Sequence, residues 1–454
     1  MSNGFFGTDG IRGRVGDGPL SPPQLLRIGL AAAGVLVPSV HAGDRVVIGI
    51  DTRQSGPAIA DILAAAFANL GLDVVLLGIL PTPALSRAVQ EHGAQFGVMV
   101  TASHNPAGDN GLKFFGADGF KLSEANELAI ERAIGSSFQD LAEGPTHTGA
   151  VGPDPSIDVR ASYADAMIKS LPEGASLAGL SVVLDGAHGA GFDIAPYVLR
   201  RLSATVRTIG CAPNGQNIND QVGSTHPAAL AKAVRAFGAH AGLALDGDGD
   251  RLIMVDERGE TVDGDQLIGL LAGHLKERGL LTGETVVATV MSNLGLERHL
   301  RGLGVSMLRT PVGDKHVVEA MRAGGYALGG EPSGHIVMLD HGTTGDGLLA
   351  AVQVLAIANA RGGAVSEVAS VFEPAPQALE NIRFAGANPL DDPGVQSVIK
   401  DVEAGLGEAG RLVVRKSGTE PKIRVMAEAL NAAEMAAALE RVVAAVKAVA
   451  ERGA

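Results

Sequence analysis

The sequence predicts an α/β protein with three repeated α/β domains, each built on a mixed, largely parallel sheet, followed by a smaller and different α+β domain. Three observations predict this architecture: a strand, loop, helix, strand pattern that occurs three times, a length of 454 residues, and a final segment without the pattern. At about 150 residues per domain, this length is too great for one hydrophobic core.

Each copy of the pattern places a polar loop and a helix between two short apolar strands. The predicted strand pairs lie at 46–50 and 74–77, at 181–184 and 204–209, and at 285–290 and 305–308. Such a unit forms a crossover in a parallel sheet, and ligands bind at the loops that follow the carboxyl ends of the strands.

Clusters of Gly and Pro near residues 150 and 370, with a further boundary near 255, predict the limits of the domains. The predicted domains span residues 1–150, 151–255, 256–370 and 371–454. The last is predicted to contain strands at 411–414 and 423–426 and an Ala-rich amphipathic helix over 432–451.

Composition and charge exclude several classes of function. The hydrophobic share of 46% and the charged share of 19% are typical of a globular protein. A net charge of −14 disfavours nucleic acid and anionic membranes as partners, because both require a basic face. The single cysteine, Cys211, and the lack of an apolar signal segment lead us to expect a cytoplasmic protein.

The first candidate site is the segment Thr-Ala-Ser-His-Asn-Pro at residues 101–106, which follows an apolar strand. A serine at the end of a buried strand is presented to a ligand, so Ser103 is a candidate nucleophile, with His104 or Lys113 to accept or donate its proton. The alternative is an ordinary turn serine, since turns are rich in Ser, Asn and Pro.

The second candidate site contains Asp246, Asp248 and Asp250 between two apolar stretches. Three carboxylates this close repel one another unless a cation lies among them, and oxygen ligands of this kind suit Mg²⁺ or Ca²⁺. A calcium-binding EF-hand is the alternative, but Arg251 stands where that loop requires glycine, and both flanks are predicted strands.

The third candidate site is the segment 329–335, in which Glu331 and Ser333 are suited to bind sugar hydroxyls and His335 to act as an acid or base. The alternative is a glycine turn with a surface glutamate.

The fourth candidate site is the basic segment 415–424, which offers cations, hydroxyls and a glycine amide to a phosphate group. Its alternative is a solvated charged hairpin.

Together, these four motifs and their order along the chain resemble the phosphohexomutase superfamily over nearly the whole sequence. Within it, the bacterial phosphoglucosamine mutases are the most similar group. The segments that carry this second resemblance are residues 6–13, 109–115, 217–219 and 223–226.

The resemblance implies four domains around a central cleft, with the fourth closing over the substrate. It implies that Ser103 is phosphorylated in the resting enzyme and that Mg²⁺ is held by this phosphoserine with Asp246, Asp248 and Asp250. The implied reaction interconverts glucosamine 6-phosphate and glucosamine 1-phosphate through a 1,6-bisphosphate, which also serves as activator.

The resemblance also assigns roles to the remaining candidates. Residues of the transfer site are Arg12, Lys113 and His335. For proton handling Lys113 is the first choice, with His335 as an alternative and His104 as another, the last from its place beside Ser103 and not from the resemblance. Substrate-binding residues are Glu331, Ser333, Arg415, Ser417, Gly418, Thr419 and Arg424. Arg251 is added on charge alone, because three carboxylates and a phosphoserine outweigh one Mg²⁺ and require nearby cations.

Two other functions stay open on the sequence. Pro332, Lys416 and the segment 311–316 differ from the usual residues of the glucosamine enzymes, so a phosphomannomutase or phosphoglucomutase is the alternative within the superfamily. A sugar-phosphate sensor without catalysis is the alternative outside it, although a sensor needs no covalent carrier. The partner is expected to be a small sugar phosphate, and a dimer is the working assumption for the assembly.

Overall fold

The computed structural model describes residues 4–135, 148–417 and 421–452. The chain divides into two compact units. The first consists of Met1–Thr289 with Leu308–Ser370, and the second of Val290–Met307 with Val371–Ala454. Among the helices of the described residues, none has the length and apolar character needed to cross a membrane.

Strands and helices alternate through most of the chain. The strands are β1 (Ile11–Arg14), β2 (Arg45–Ile50), β3 (Asp73–Ile79), β4 (Phe96–Val100), β5 (Asp109–Gly116), β6 (Val151–Gly152), β7 (Ser181–Asp185), β8 (Thr205–Ile209), β9 (Ala241–Leu245), β10 (Leu252–Asp256), β11 (Thr261–Val262), β12 (Thr285–Thr289), β13 (Ser306–Thr310), β14 (Leu328–Gly330), β15 (Ile336–Met338), β16 (Gln377–Arg383), β17 (Gly410–Lys416) and β18 (Lys422–Ala429). The α-helices span Pro22–Leu36, Gly56–Asn69, Thr82–Glu91, Glu124–Ile134, Val159–Lys169, Ile194–Arg201, Ala228–Phe237, Gly264–Glu277, Leu294–Gly302, Asp314–Gly324, Gly347–Arg361, Val365–Val368, Pro393–Leu406 and Ala432–Arg452.

The first sheet has the strand order β1-β5-β4-β2-β3-β6. Strand β2 is parallel to β3 and to β4, which confirms the first predicted crossover, and β5 is antiparallel to both β4 and β1. The β4–β5 pairing places Met99 opposite Lys113. The end of β4, where Ser103 follows, therefore lies beside the strand that carries Lys113.

The second sheet has the order β11-β10-β9-β7-β8. Strand β7 is parallel to β8 and β9, as the second copy of the pattern predicts, whereas β9 and β10 form an antiparallel hairpin. The three aspartates at 246, 248 and 250 occupy the connection of this hairpin. Because both flanks are strands, the EF-hand alternative is wrong.

The third sheet has the order β13-β12-β14-β15, and β14 and β15 form a second hairpin that carries residues 331–335. One detail of the third predicted copy is wrong. The predicted loop at 292–295 is interrupted by a helix that begins at Leu294, where the side chain of Asn293 accepts a hydrogen bond from the main chain of Gly295. An asparagine in this position is a favourable helix cap, so it ends the loop two residues early.

The C-terminal domain contains a three-stranded antiparallel sheet with the order β16-β18-β17, followed by the helix Ala432–Arg452. The predicted hairpin and terminal helix are confirmed. The sequence prediction missed β16 and the helix Pro393–Leu406. A mixed-sheet architecture of three α/β domains and a different last domain is thus confirmed.

A buried hydrogen bond joins the second α/β domain to the third. The hydroxyl of Tyr163 donates to Oδ1 of Asp346 (2.8 Å), which also accepts from the main chain of Leu349 (2.9 Å) and so caps the helix Gly347–Arg361. Burial raises the pKa of Asp346 to about 6. The carboxyl group therefore binds its proton more tightly in the folded protein than in the unfolded chain, where its pKa is about 3.9.

Asp346→Asn is expected to change how thermal stability depends on pH. The protonated carboxyl group of Asp346 contributes fully to the free energy of unfolding below about pH 4. This contribution is lost as pH rises through about 6. Asparagine keeps the acceptor oxygen and does not ionise. Between pH 4 and pH 7, the free energy of unfolding of the variant should therefore rise relative to that of the parent by up to about 3 kcal/mol. This follows from about 1.4 kcal/mol for each pKa unit.

Thermal unfolding of the parent and the variant across this pH range measures the gain. Asp340→Asn removes one charge at an exposed position of the same segment and serves as the control. A difference in Tm between the parent and Asp346→Asn that is the same at every pH would contradict the prediction.

Candidate active site

Ser103 has an unusual backbone conformation. It lies just after β4 with φ at 50°, in the left-handed region that residues other than glycine rarely adopt, and its side chain is fully buried. Its Oγ donates a hydrogen bond to Oδ2 of Asp246 (2.6 Å) and lies 3.3 Å from Nδ1 of His104. Such strain persists only where the surroundings hold it, and it is typical of functional sites.

The buried side chain of Arg53 holds the main chain of the serine loop. Its Nε donates to Asp51 (2.9 Å), and its two terminal nitrogens donate to carbonyl oxygens in the loop. These carbonyls belong to Ser103 (3.0 Å), Asn105 (2.8 Å), Asp109 (2.9 Å) and Pro106. All five N–H groups of the guanidinium are therefore used, and four of them fix one short loop.

Asn219 holds the same loop from the second α/β domain. Its Nδ2 donates to the carbonyl oxygens of Ser103 (2.8 Å) and Asn105 (3.1 Å). The sequence analysis assigned no role to Arg53 or Asn219. A signal for Arg53 was present, because it follows β2 and the carboxyl ends of the parallel strands β2 and β4 meet at one edge of the sheet.

Lys113 on β5 is buried among carboxylates. Its Nζ lies 2.8 Å from Oδ2 of Asp248, 2.9 Å from Oδ2 of Asp250 and 3.2 Å from Oδ2 of Asp9. Burial alone would lower the pKa of Lys113, but the attraction of Asp248, Asp250 and Asp9 outweighs it and raises the pKa well above its ordinary value. These three carboxylates therefore favour the charged, hydrogen-bond-donating form of Lys113.

The three aspartates of the second motif converge as the sequence predicted. All three side chains are buried, and a carboxylate oxygen from each lies within 4.8 Å of the others. Oδ1 of Asp248 and Oδ1 of Asp250 accept no hydrogen bond within the described part of the chain. Burial, and then the repulsion of Asp250 and Asp248, raises the pKa of Asp246 well above its ordinary value.

These features fit a metal ion. A buried acceptor without a partner costs about 1–3 kcal/mol, and two of them face a cluster of like charges. A cation bound to the carboxylate oxygens would remove both costs, and hard oxygen donors are typical ligands of divalent cations. The triad could therefore hold a metal ion beside Ser103.

His335 lies on the β14–β15 hairpin, between the carboxylates of Asp250 and Asp314. Its Nδ1 is 3.6 Å from Oδ2 of Asp250, and its Nε2 is 3.4 Å from Oδ2 of Asp314. The main-chain N–H of Gly345 donates to Nε2 (3.1 Å), which leaves the proton of a neutral ring on Nδ1, facing Asp250. Lys121 forms ion pairs with Asp314 and Asp9, so charges from the first and third sheets are joined in one network.

His104 and two arginines complete the surroundings of Ser103. The side chain of Arg12 pairs with Asp9 and donates to Oδ1 of Asn105 (3.3 Å), while the main chain of Arg251 donates to Oδ1 of Asp246 (3.2 Å). Burial, together with Arg251 and Arg12, lowers the pKa of His104 to about 4. His104 is therefore neutral at pH 7 and able to accept a proton.

The predicted sugar-binding residues lie on the β14–β15 hairpin with His335. Oε1 of Glu331 accepts a hydrogen bond from the main chain of Gly313 (3.2 Å), and Ser333 Oγ lies 3.3 Å from Oε2 of the same glutamate. Both side chains are half-buried. The structure therefore brings Glu331 and Ser333 into contact, and the serine hydroxyl donates to Oε2 of the glutamate.

In the second unit, Arg415 on β17 lies directly opposite Arg424 on β18. Like charges that face each other across a sheet are destabilising, and burial together with Arg424 lowers the pKa of Arg415. Ser417 is buried, and its main chain donates to Lys422 (2.8 Å). An anion beside this arginine pair would relieve the repulsion. Gly418 and Thr419, the other predicted phosphate ligands, lie outside the described residues.

Comparison with known proteins identifies the family. Four phosphoglucomutase/phosphomannomutase domains match in sequence: alpha/beta/alpha domain I over residues 3–140, domain II over 161–259, domain III over 263–375 and the C-terminal domain over 379–445. The chain belongs to the phosphoglucomutase/phosphomannomutase family. The family that the sequence motifs predicted is therefore confirmed.

Relatives of this family are similar over nearly their whole length. The chain is 51% identical to a phosphoglucosamine mutase of Zymomonas mobilis, over 94% of this chain and 95% of the relative. A crystal structure of a phosphoglucomutase/phosphomannomutase family protein from Burkholderia thailandensis is 25% identical, with a TM-score of 0.82 and coverage of 100% and 99%. The N-acetylphosphoglucosamine mutase of Aspergillus fumigatus, solved with GlcNAc-6P and magnesium, shares the fold with a TM-score of 0.67 at 19% identity, covering 99% of this chain and 96% of that chain.

Asn219→Asp is expected to loosen the serine loop. The substitution keeps the size of the side chain and suits the left-handed φ of 59°, but it removes both N–H donors and turns an oxygen toward two carbonyls. Each carbonyl keeps its hydrogen bond from Arg53 but loses the one from Asn219 and faces a carboxylate oxygen instead, which should lower the free energy of unfolding by about 1–3 kcal/mol. Amide hydrogen exchange of residues 101–106 should become faster.

Asn217→Asp is the matched control, because the side chain of Asn217 bonds only within its own segment, to Asn214 and Ala212. Its effect on exchange should be confined to residues 212–217. Unchanged exchange of the serine loop in Asn219→Asp would show that Arg53 alone is sufficient to hold it.

Proposed function

We propose that this chain interconverts glucosamine 6-phosphate and glucosamine 1-phosphate. The observation that carries the proposal is the hydrogen bond of 2.6 Å between Ser103 and Asp246, which sets a strained, buried serine against a carboxylate triad that could hold a metal ion. The identity of 51% to a phosphoglucosamine mutase supports the choice of sugar.

Ser103 is proposed as the covalent carrier of the phosphoryl group. In the forward direction, the bond between phosphorus and Oγ of Ser103 breaks as a bond to O1 of glucosamine 6-phosphate forms, giving the 1,6-bisphosphate. The bisphosphate then turns end over end, and its 6-phosphoryl group returns to Ser103, leaving glucosamine 1-phosphate. A sugar 1,6-bisphosphate would supply the first phosphoryl group to an unphosphorylated chain, which explains its proposed role as activator.

Mg²⁺ is the proposed metal, held by Asp246, Asp248, Asp250 and the phosphate on Ser103. When bound, it neutralises charge on the phosphoryl group that is transferred. The protein itself contributes Lys113, whose ammonium group is held in place by Asp248, Asp250 and Asp9. Phosphoryl transfer depends mainly on positioning and on fixed charge of this kind.

The proton released from the sugar O1 hydroxyl requires an acceptor. His104 is neutral at pH 7 and lies 3.3 Å from the serine oxygen, so it is the candidate that the geometry favours. His335 carries its ring proton toward Asp250 and is suited to donate. Lys113 is the first choice for this proton on the sequence; its carboxylate neighbours favour its charged form, which is also suited to stabilise charge together with Arg12 and Arg251.

Substrate recognition is proposed for two groups of residues. Glu331 and Ser333 would bind sugar hydroxyls. Arg415, Ser417, Gly418, Thr419 and Arg424 would bind the phosphate that is not being transferred. The facing arginines Arg415 and Arg424 support the phosphate assignment, because their repulsion favours a bound anion.

We also propose that the domains span residues 1–150, 151–255, 256–370 and 371–454. The four matched family segments, over 3–140, 161–259, 263–375 and 379–445, support these limits. A cytoplasmic location and a dimer complete the proposal. The single cysteine fits a reducing compartment.

Turnover of glucosamine 6-phosphate with Mg²⁺ and a trace of sugar 1,6-bisphosphate tests the function. The parent should be active, and Ser103→Ala should lose activity completely because no covalent carrier remains. Ser156→Ala, at an exposed loop position, is the control. Glucose and mannose phosphates are assayed side by side, and faster turnover of either by a folded parent would favour the phosphoglucomutase or phosphomannomutase alternative.

Asp248→Ala tests the metal site. The loss of one ligand should reduce turnover by at least about 100-fold, the size of effect seen when a group that stabilises transition-state charge is removed. Asp220→Ala, at an exposed position of the same domain, should retain full turnover. Circular dichroism establishes that both variants are folded, and an active Asp248→Ala would exclude the metal assignment.

A further inference from the structure

Thr82, the first residue of the helix Thr82–Glu91, forms two hydrogen bonds with one aspartate of the metal-binding hairpin. Its main-chain N–H donates to the carbonyl oxygen of Asp248 (2.9 Å), and its Oγ1 donates to Oδ2 of the same residue (2.6 Å). Thr82 is fully buried. It belongs to the first sheet's domain, whereas Asp248 belongs to the second, so the contact joins two domains at the site.

The two oxygens of the Asp248 carboxylate have different surroundings. Oδ2 accepts hydrogen bonds from Thr82 Oγ1 and from Lys113 Nζ (2.8 Å). Oδ1 is buried and accepts no hydrogen bond from any residue that the structure describes. Two donors on one oxygen fix the rotation of the carboxylate and leave Oδ1 as the oxygen without a donor.

The main chain beside Thr82 makes this contact tight. A Cβ placed on Gly249 would lie 3.2 Å from Pro81, which precedes the helix. The main chain at Pro81 and Thr82 therefore packs directly against the hairpin at Asp248 and Gly249.

We propose that Thr82 is a positioning residue that orients Asp248 for the metal ion. The proposal rests on the metal site of the proposed function. Thr82 does not bind the ion itself. It holds Oδ2 of Asp248 so that Oδ1 remains available, in the way that groups hydrogen-bonded to a ligand set its orientation in other metal sites.

Thr82→Val tests this role, because valine has the shape of threonine without the hydroxyl. The dissociation constant for Mn²⁺, measured by electron paramagnetic resonance of the free ion, should rise by about 10-fold or more, the range seen when such supporting groups are removed. Thr82→Ser keeps the hydroxyl and should bind Mn²⁺ within about threefold of the parent. Turnover with saturating metal is measured in parallel.

Thr52→Val is the matched control. Thr52 is also a buried threonine of the first domain whose Oγ1 donates to the second domain, in this case to the carbonyl of His188 (2.6 Å). Its loss should leave Mn²⁺ binding unchanged. If Thr82→Val does not fold, Thr82→Ala replaces it, since alanine removes the hydroxyl and adds no apolar bulk beside the carboxylate.

The outcomes distinguish the proposed role of Thr82 from the proposed metal site. Weaker Mn²⁺ binding in Thr82→Val with recovery in Thr82→Ser supports the role of Thr82, whatever sugar the parent accepts. Equal Mn²⁺ binding in Thr82→Val and the parent overturns it and leaves the metal site intact. A folded parent that binds no Mn²⁺, with or without phosphate on Ser103, overturns both.

Discussion

The site depends on one buried ammonium group. Lys113 is surrounded by the carboxylates of Asp9, Asp248 and Asp250, and neither partner is stable at this depth without the other. A buried lysine alone loses its proton, and buried carboxylates alone take one up. Because Lys113 lies on the first sheet and two of the carboxylates on the second, the charge pairing also fixes how these two domains meet within the first unit.

The position of Ser103 is also set by buried polar contacts, in this case hydrogen bonds to the main chain of its loop. The serine loop has four carbonyl oxygens directed at the guanidinium of Arg53, and Asn219 adds donors from the neighbouring domain. These bonds stabilise a left-handed residue that would otherwise relax to an ordinary turn. The hydroxyl of Ser103 is thus oriented by contacts to its main chain, while its own hydrogen bond goes to the side chain of Asp246.

The sequence predicted the motifs but not the residues that hold them in place. Ser103 and the three aspartates have residue types and spacings that indicate their chemistry directly. Arg53, Asn219 and Thr82 act through main-chain oxygens or through another side chain, across 50 to 166 residues of sequence. The place of Arg53 after β2 was a signal for it, whereas no local pattern indicates the contacts of Asn219 and Thr82. Strand β16 was missed for a similar reason, because its mostly polar and exposed residues lack the apolar alternation typical of a strand.

The separation of Lys113 from Asp248 has a consequence for synthesis of the chain. These residues are 135 positions apart, so at about 5–20 residues per second the ribosome makes the aspartate roughly 7 to 27 s after the lysine. During that interval the first domain has its ammonium group but not the hairpin that covers it. Of the three carboxylates around Lys113, only Asp9 has been made during that interval, and the ion pairs with Asp248 and Asp250 form only after the second domain has been synthesised.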